Sequence, residues 1–399
     1  MTQAVEAAAP VRSSHLRVVG AVSTAHFVSH FYILLLAPMM PFVREAYGVS
    51  YTEIGIALAA FNIVSAALQT PAGFLVDRLG ARVLLIGGLI IGAAAFATVG
   101  LVHSYPMLVG MFALAGVANT VYHPADYALL SQHVPGERIG QAFSVHTFAG
   151  MLGSAVTPAS MLMMQTMWGW RGAFLGAAAL GLLAALVLIV VRDPAPQVAP
   201  RKTGDNGRPD WHVLLSAPIV LNLFFFVLLA MLSGGIYNYS VVAFGALYGT
   251  PVGTANLALT GNLLLTAIGV LIGGVLVGRT RQHGLVAASG LAAAAALILL
   301  LAEVDLPAAA LVATMSLAGF FSGIIMPSRD MIVREVTPPG SFGKVFGFVT
   351  TGFNIGGIVA PLVFGAIMDH GSPRLVFLTV AACTIVAIAT VASRPRRRG

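Results

Sequence analysis

Three charged residues lie deep within long apolar stretches of the chain, namely Asp126, Arg329 and Asp330. A charge inside an apolar membrane span is costly, so such residues usually face a bundle interior or an aqueous path and carry function there. An arginine binds anions, and a carboxylate can take up and release a proton. We therefore expect Arg329 to bind an anionic group and Asp126 to exchange protons. Asp330 either neutralises Arg329 or caps a broken helix.

An internal repeat relates this acid to this base. A shift of 203 residues carries Pro124 to Pro327 and Asp126 to Arg329 without a gap. A repeat held in fixed register indicates two structurally equivalent halves. We therefore expect Asp126 and Arg329 to face one cavity and to approach each other in at least one state; a structural ion pair or a gate is the alternative. The same shift also pairs Pro135 with Pro338, Gly140 with Gly343, Phe143 with Phe346, Gly153 with Gly356, and Pro158 with Pro361.

Polar side chains recur at helical spacing in two of these stretches. His26 and His30 lie four residues apart in the first stretch, and Asn119, His123 and Asp126 lie at i, i+4 and i+7 in the fourth. Histidine exchanges protons near neutral pH, so we expect these side chains to line the cavity and to serve proton coupling. Hydrogen bonding between helices is the alternative for His26 and His30. For His123 the alternative is to satisfy carbonyls freed by the adjacent proline.

Two more polar residues are candidates for the same cavity. His146 lies in the fifth stretch and either joins the histidines or packs structurally, and Asn238 lies in the seventh stretch, which repeats the first. Two histidines four residues apart can also ligate a metal. No third ligand of fitting spacing accompanies His26 and His30, and carboxylates are scarce. We therefore expect no metal site.

The composition excludes an ordinary soluble domain. Mean hydropathy is +0.91 and 9% of the residues are charged, against about a quarter in soluble domains. Several apolar runs approach the ~20 residues that cross a bilayer as a helix. We predict an all-α polytopic membrane protein with twelve transmembrane helices. They lie at about residues 18–42, 54–76, 83–102, 106–130, 140–165, 171–191, 217–247, 253–278, 284–302, 307–332, 341–368 and 373–392.

The basic residues predict the orientation and the division of the chain. Seventeen of the 21 Lys and Arg residues fall on one side of the twelve spans and three on the other, so the first side is cytoplasmic and holds both termini. The basic balance is thus a topology signal that requires no nucleic-acid partner, and the C-terminal arginines are expected to contact anionic lipids. We predict a six-helix bundle at residues 1–191, a cytoplasmic linker at 192–216 and a second six-helix bundle at 217–399.

The loop between spans two and three reads Gly73-Phe-Leu-Val-Asp77-Arg78-Leu-Gly80-Ala-Arg82. Together with the two sets of six spans, it resembles the signature loop of the major facilitator superfamily. The resemblance implies two bundles around a central cavity, alternating access by rocking, and no cofactor. We expect Gly73, Asp77, Arg78 and Arg82 to form a cytoplasmic gate. There the glycine would allow close helix approach and Asp77 would meet a helix N-terminus or an arginine.

The chain also resembles the fosmidomycin-resistance efflux group of that superfamily. The shared features are a polar first span with His26 and His30, the break Tyr122-His123-Pro124 in span four, and a Gly-Gln-Ala-Phe run at the start of span five. The resemblance implies a drug-resistance antiporter in the cytoplasmic membrane of a prokaryote. We expect a monomer whose partners are a small-molecule substrate, protons and membrane lipids.

These features together predict a proton-coupled secondary active transporter for a small organic solute, with an anionic group favoured by Arg329. No nucleotide-binding loop or soluble catalytic domain is evident in the sequence, so we expect neither direct use of ATP nor an enzyme. Export is favoured over proton-coupled uptake of an organic acid. A transport-dead sensor or scaffold on the same fold is the remaining alternative, which a dry cavity without His26, His30, Asp126 and Arg329 on its walls would favour.

Overall fold

Apolar helices make up nearly all of the described chain. The structure is a computed structural model that describes residues 9–135, 138–191, 214–338 and 342–392, and no strand occurs within those ranges. A helix satisfies its own backbone hydrogen bonds, which lipid cannot do. In chain order the helices are α1 (Ala9–Leu34), α2 (Leu36–Tyr47), α3 (Tyr51–Leu79), α4 (Ala81–Leu101), α5 (Tyr105–His133), α6 (Ile139–Val190), α7 (Ala217–Gly234), α8 (Ser240–Tyr248), α9 (Val252–Val277), α10 (His283–Glu303), α11 (Ala308–Val336), α12 (Phe342–Asp369) and α13 (Arg374–Ala392), with a π-helical turn at Gly235–Tyr239.

Helix α6 contains two of the predicted spans. Eleven helical segments of the described chain are long and apolar enough to cross a membrane, and α6 is the longest of them at 52 residues. Its backbone turns at Gly169, where φ is 72° and ψ is 169°. That combination is open almost only to glycine, so the helix is divided there. Counting its two parts separately confirms the twelve spans predicted from the sequence.

The first span of each half is interrupted at an equivalent position. In the first half α1 ends at Leu34 and α2 begins at Leu36, because Pro38 lacks the N–H that the carbonyl of Leu34 would otherwise accept. In the second half the interruption is the π-helical turn at Gly235–Tyr239. The shift of 203 residues carries Leu35 to Asn238, which lies inside that turn.

The internal repeat is also visible in how helices touch. A Cβ added to Gly153 of α6 would overlap the backbone of Phe27 in α1. A Cβ added to Gly356 of α12 would overlap Ala230 in α7. The shift of 203 residues converts the first contact into the second. The predicted structural equivalence of the two halves is therefore confirmed by matching interhelical contacts.

Spatial contacts group the helices into two compact units. The first comprises Met1–Leu35, Ile63–Thr157 and Met163–Asp205; the second comprises Leu36–Asn62, Pro158–Leu162 and Asn206–Gly399. The second unit thus contains α2 and the start of α3 in addition to the helices of the second half. The predicted linker at 192–216 falls mostly outside the described residues, and the basic C-terminal run falls outside them as well. Division of the chain at that linker stays a prediction.

The turn at Gly169 gives a test of the break in α6. A side chain at this φ and ψ is strained by about 1–3 kcal/mol, so Gly169→Ala should lower the thermal unfolding temperature of the detergent-purified protein. Gly140→Ala is the matched control, because Gly140 is helical and has open space around it. Equal unfolding temperatures for the two variants would contradict a required left-handed turn.

Candidate functional site

Asp126 lies at the centre of a buried cluster in the first unit. Its side chain is fully buried. His146 of α6 donates a hydrogen bond from Nε2 to Asp126 Oδ2 over 2.9 Å. His26 of α1 places Nδ1 3.1 Å from the same oxygen. Helices α1, α5 and α6 therefore converge on one carboxylate oxygen.

Two further histidines complete what we call the histidine cluster, which consists of Asp126, His26, His30, His123 and His146. The rings of His26 and His146 are stacked, with centroids 3.7 Å apart. The ring of His30 lies 4.6 Å from that of His26, and the ring of His123 lies 5.1 Å from it. The structure thus brings together five residues that the sequence analysis named as candidates, including His146, and their lining of a transport cavity stays a prediction.

Two small residues on α6 let α1 bring its histidines to Asp126. A Cβ on Gly150 would lie 2.6 Å from the His26 ring and 3.0 Å from the His30 ring. Gly153, one turn further along α6, touches the α1 backbone directly. Ser154 adds a hydrogen bond between its hydroxyl and His30 Nδ1 at 3.2 Å. The close approach of α1 and α6 thus fixes the ring positions.

The cluster extends from the protein interior to an exposed surface. Asp126, His26 and His146 are buried, His30 is half-buried and His123 is exposed. Tyr127 of α5 is 45% exposed, and its ring stacks beside that of His123 with centroids 6.2 Å apart. It also lies 5.7 Å from the ring of His146. Titratable rings therefore lie between the buried carboxylate and an exposed surface. The sequence analysis did not single out Tyr127.

Several buried polar atoms of the cluster have unused hydrogen-bonding capacity. Among the described residues, Asp126 Oδ1 and His146 Nδ1 have no hydrogen-bond partner, and His26 Nδ1 lies 3.1 Å from Asp126 Oδ2 without forming a hydrogen bond to it. Buried polar atoms are usually paired, and exceptions often mark functional sites. A group that must gain and lose a proton needs such capacity. The cluster can therefore accept protons without first breaking all of its internal bonds.

The donor set also has the composition of a metal site. Donor atoms of His26, Asp126 and His146 all lie within 4.8 Å of one another. Two imidazoles and one carboxylate are ligands that transition metals accept. The sequence analysis found no third ligand for His26 and His30, because Asp126 and His146 belong to other helices. Only the tertiary contacts bring them together.

Arg329 of α11 occupies a different environment in the second unit. Its Nε donates to Asp330 Oδ1 over 2.8 Å. The guanidinium carbon lies 4.9 Å from the ring centre of Phe226 and 5.2 Å from that of Phe353. Such stacking holds a guanidinium in a fixed plane and suits it to bind oxyanions. The sequence analysis anticipated that Asp330 could neutralise Arg329, but it did not identify either phenylalanine.

The histidines have no counterparts in the second half. The shift of 203 residues carries His26 to Leu229, His30 to Ser233, His123 to Met326 and His146 to Val349. It carries Gly150, which makes room for the histidines, to Phe353, which stacks on Arg329. The two halves thus have a similar backbone arrangement but carry different side chains at equivalent positions.

The other predicted site residues lie as follows. Asn119 donates from Nδ2 to the Ser65 hydroxyl over 2.6 Å and so links α5 to α3. Asn238 is half-buried in the π-helical turn.

Two arginines of the predicted gate have described surroundings. Arg82 donates to the carbonyls of Leu188 and Val191 at the end of α6, and Arg78 is exposed. Among the described residues, a Cβ on Gly73 would meet no atom within 4 Å, so the close helix approach expected there stays a prediction. The side chain of Asp77 lies outside the described residues.

Comparison with known families accounts for this architecture. The model of the Major Facilitator Superfamily matches residues 22–251 and 223–399. The chain belongs to the major facilitator superfamily. This agrees with the resemblance carried by the loop from Gly73 to Arg82 and with the apolar helices, and it makes the chain a multi-pass membrane protein of a transporter family.

Individual relatives cover most of the chain at low identity. The Fosmidomycin resistance protein of Escherichia coli is 26% identical over 94% of this chain and 92% of its own. The probable sulfoacetate transporter SauU of Cupriavidus necator is 26% identical over 92% of this chain and 90% of its own. The probable nitrate/nitrite transporter NarK2 of Mycobacterium tuberculosis is 27% identical, with 89% and 91% covered.

A solved structure supports the fold alone. The nucleoside transporter NupG matches with a TM-score of 0.78 and 15% identity, covering 95% of this chain and 99% of that one. The predicted all-α fold is confirmed. The match to the Fosmidomycin resistance protein bears out the resemblance that the sequence suggested.

The His146–Asp126 hydrogen bond gives a stability test. His146→Leu should lower the free energy of unfolding by about 2–5 kcal/mol, because it leaves a buried carboxylate without its strongest partner. The loss should be much smaller in an Asp126→Asn background, where no charge needs that partner. Thermal unfolding in detergent measures both. His123→Leu is the control, since His123 is exposed and makes no direct bond to Asp126; an equal loss there would contradict this account.

Proposed function

We propose that the protein is a proton-coupled secondary transporter that exports a small organic anion by alternating access. The observation that carries this proposal is the histidine cluster, in which two imidazoles contact one fully buried carboxylate and two more lie against one of them. We place the protein in the cytoplasmic membrane of a prokaryote as a monomer, with both termini in the cytoplasm. The membrane character and the transporter family are established, and the coupling, substrate and direction are the proposal.

Asp126 is the proposed proton-binding residue. His26 of α1 and His146 of α6 contact it directly, and the titratable rings of His30, His123 and Tyr127 lie beside those two. Imidazoles titrate near physiological pH, so they suit delivery of protons to a buried acid. Protonation changes the charge of the cluster and therefore its interactions with the rest of the first unit. A proton gradient would bias the transport cycle through that change.

Arg329 is the proposed anion-binding residue. Phe226 and Phe353 fix the plane of its guanidinium, and Asp330 engages only Nε. The two terminal nitrogens can therefore bind a carboxylate or similar oxyanion in bidentate fashion. Two relatives that cover most of the chain are named for sulfoacetate and nitrate, which are both small oxyanions. This supports an anionic substrate here. The approach of Asp126 to Arg329 during the cycle stays a prediction.

Export is favoured because relatives include a resistance protein that matches nearly the full chain. Uptake of an organic acid with protons is the second candidate, and the sulfoacetate-named relative supports it. In export by antiport, protons and substrate cross the membrane in opposite directions, whereas in uptake by symport they cross in the same direction. A sensor or scaffold without transport would show neither flux.

The decisive experiment is transport by purified protein in liposomes of defined orientation. An imposed pH gradient should drive accumulation of at least one anion from a panel of sulfoacetate, nitrate, an aldonate and a phosphonate. The sign of the gradient that drives it separates antiport from symport. Asp126→Asn should abolish the gradient-driven flux but retain exchange of substrate for substrate, because only the proton step is removed. Gradient-driven flux that survives in Asp126→Asn would exclude this residue as the coupling site.

The anion-binding role of Arg329 has a separate test. Arg329→Lys keeps the charge but loses the planar pair of donors, so the KM for the anion should rise by about ten- to hundredfold. Arg329→Ala should remove transport of the anion. Arg374→Lys is the matched control, since Arg374 is an exposed arginine in an ion pair with Glu303. An unchanged KM in Arg329→Lys would rule out bidentate binding at this residue.

A further inference from the structure

The first turn of α3 is bound by a carboxylate from the second half of the sequence. Asp369, the last residue of α12, accepts the Tyr51 N–H at Oδ1 over 2.7 Å. Its other oxygen, Oδ2, accepts the Thr52 N–H over 2.8 Å. Both segments belong to the second compact unit. A helix N-terminus carries partial positive charge and unpaired N–H groups, so it is a natural partner for a carboxylate.

The remaining donors of that turn are satisfied locally. The Ser50 hydroxyl accepts the Glu53 N–H over 3.1 Å, and Glu53 Oε2 accepts the Ser50 N–H over 2.7 Å, which together form a capping box. The Ser50 carbonyl accepts the Ile54 N–H over 3.2 Å. The Tyr51 and Thr52 N–H groups are the donors left over, and Asp369 accepts both. The long-range contact therefore completes the cap of α3.

Helices α3 and α12 are in backbone contact directly beside this carboxylate. A Cβ on Gly365 would lie 2.8 Å from Thr52 Cα, and one on Gly55 would overlap the carbonyl of Pro361. The same carbonyl accepts a hydrogen bond from the Tyr239 hydroxyl over 2.6 Å. Neither glycine can carry a side chain without separating the two helices. The contact is thus closely fitted over two turns.

We propose that Asp369 is a gating residue that latches this end of the transporter closed. We call the contact of Asp369 with the N–H groups of Tyr51 and Thr52 the α3–α12 latch. Alternating access requires segments of the two halves to separate and rejoin at each end in every cycle. The latch joins a helix before the linker to one after it, at the end that the charge pattern predicts to be extracytoplasmic. The predicted gate, from Gly73 to Arg82, lies at the opposite end of α3. The latch does not depend on the substrate or on proton coupling.

A neighbouring ion pair provides a matched control. Glu303 at the end of α10 and Arg374 at the start of α13 form an ion pair of 2.9 Å at the same predicted membrane face. Both helices lie after the linker, so this pair does not join the two halves. Like Asp369, Glu303 is exposed. Glu303→Gln therefore removes a carboxylate of similar exposure without touching the latch.

The test is the distance across the latch in substrate-free, full-length protein. Cys383, the single cysteine, is replaced by serine, and spin labels are attached to cysteines introduced at the exposed positions Glu45 and Leu375. Pulsed electron paramagnetic resonance then gives the populations of closed and open states. Asp369→Asn and Asp369→Ala should raise the open-to-closed ratio by about three- to tenfold, as expected for losing a charged helix cap. Gly365→Ala should raise it by steric separation.

Each outcome has a definite meaning. Unchanged distances in Asp369→Ala and Gly365→Ala, with thermal stability retained, would overturn the latch. An equal shift in Glu303→Gln would also overturn it, because it would assign the effect to general surface charge. Should Asp369→Ala fail to fold, Asp369→Asn preserves the shape of the side chain and decides alone. Failure of anion transport in liposomes leaves this distance measurement unaffected.

Discussion

The need to pair charges that lie inside apolar helices is the constraint on which this structure depends. Asp126 is fully buried, so other side chains have to pair with it, and the two that contact it, His26 and His146, come from neighbouring helices. That requirement accounts for the stacking of His26 on His146 and for the close contact of α1 with α6. Arg329 meets the same requirement in another way, through two aromatic faces and an adjacent carboxylate. The residues that pair these buried charges are therefore also the candidates for function.

The fold was predictable from the sequence because its signals are local or periodic. Apolar length gives the spans, and the register from Pro124 to Pro327 gives the two halves. The site was predictable only in part. Helical spacing identified His26, His30, His123 and Asp126, but spacing along one helix says nothing about which helix lies opposite. For that reason Tyr127, Phe226, Phe353 and Asp369 were missed, and the three-donor arrangement of His26, Asp126 and His146 was not foreseen.

The halves are related by backbone contacts and distinguished by side chains. Gly153 against Phe27 and Gly356 against Ala230 are the same contact made twice. One turn before each of these glycines, the first half has Gly150 and the second has Phe353. The absence of a side chain admits two histidine rings, whereas the phenyl ring there provides a face for a guanidinium. At this single pair of equivalent positions, the first half thus makes room for a histidine-rich environment and the second half stacks an aromatic ring on an arginine.

The π-helical turn at Gly235–Tyr239 has a consequence for how the outer part of its helix could move. A π turn holds about one more residue than an α turn, so every side chain beyond it is rotated by roughly 100° relative to a regular α-helix. Tyr239 ends this turn, and its hydroxyl reaches the carbonyl of Pro361 in that rotated setting. Conversion of the turn to α-helix would swivel Ser240–Tyr248 about its own axis and withdraw that hydroxyl. One helix can thereby change the face that it presents while lengthening by only about 1.5 Å along its own axis.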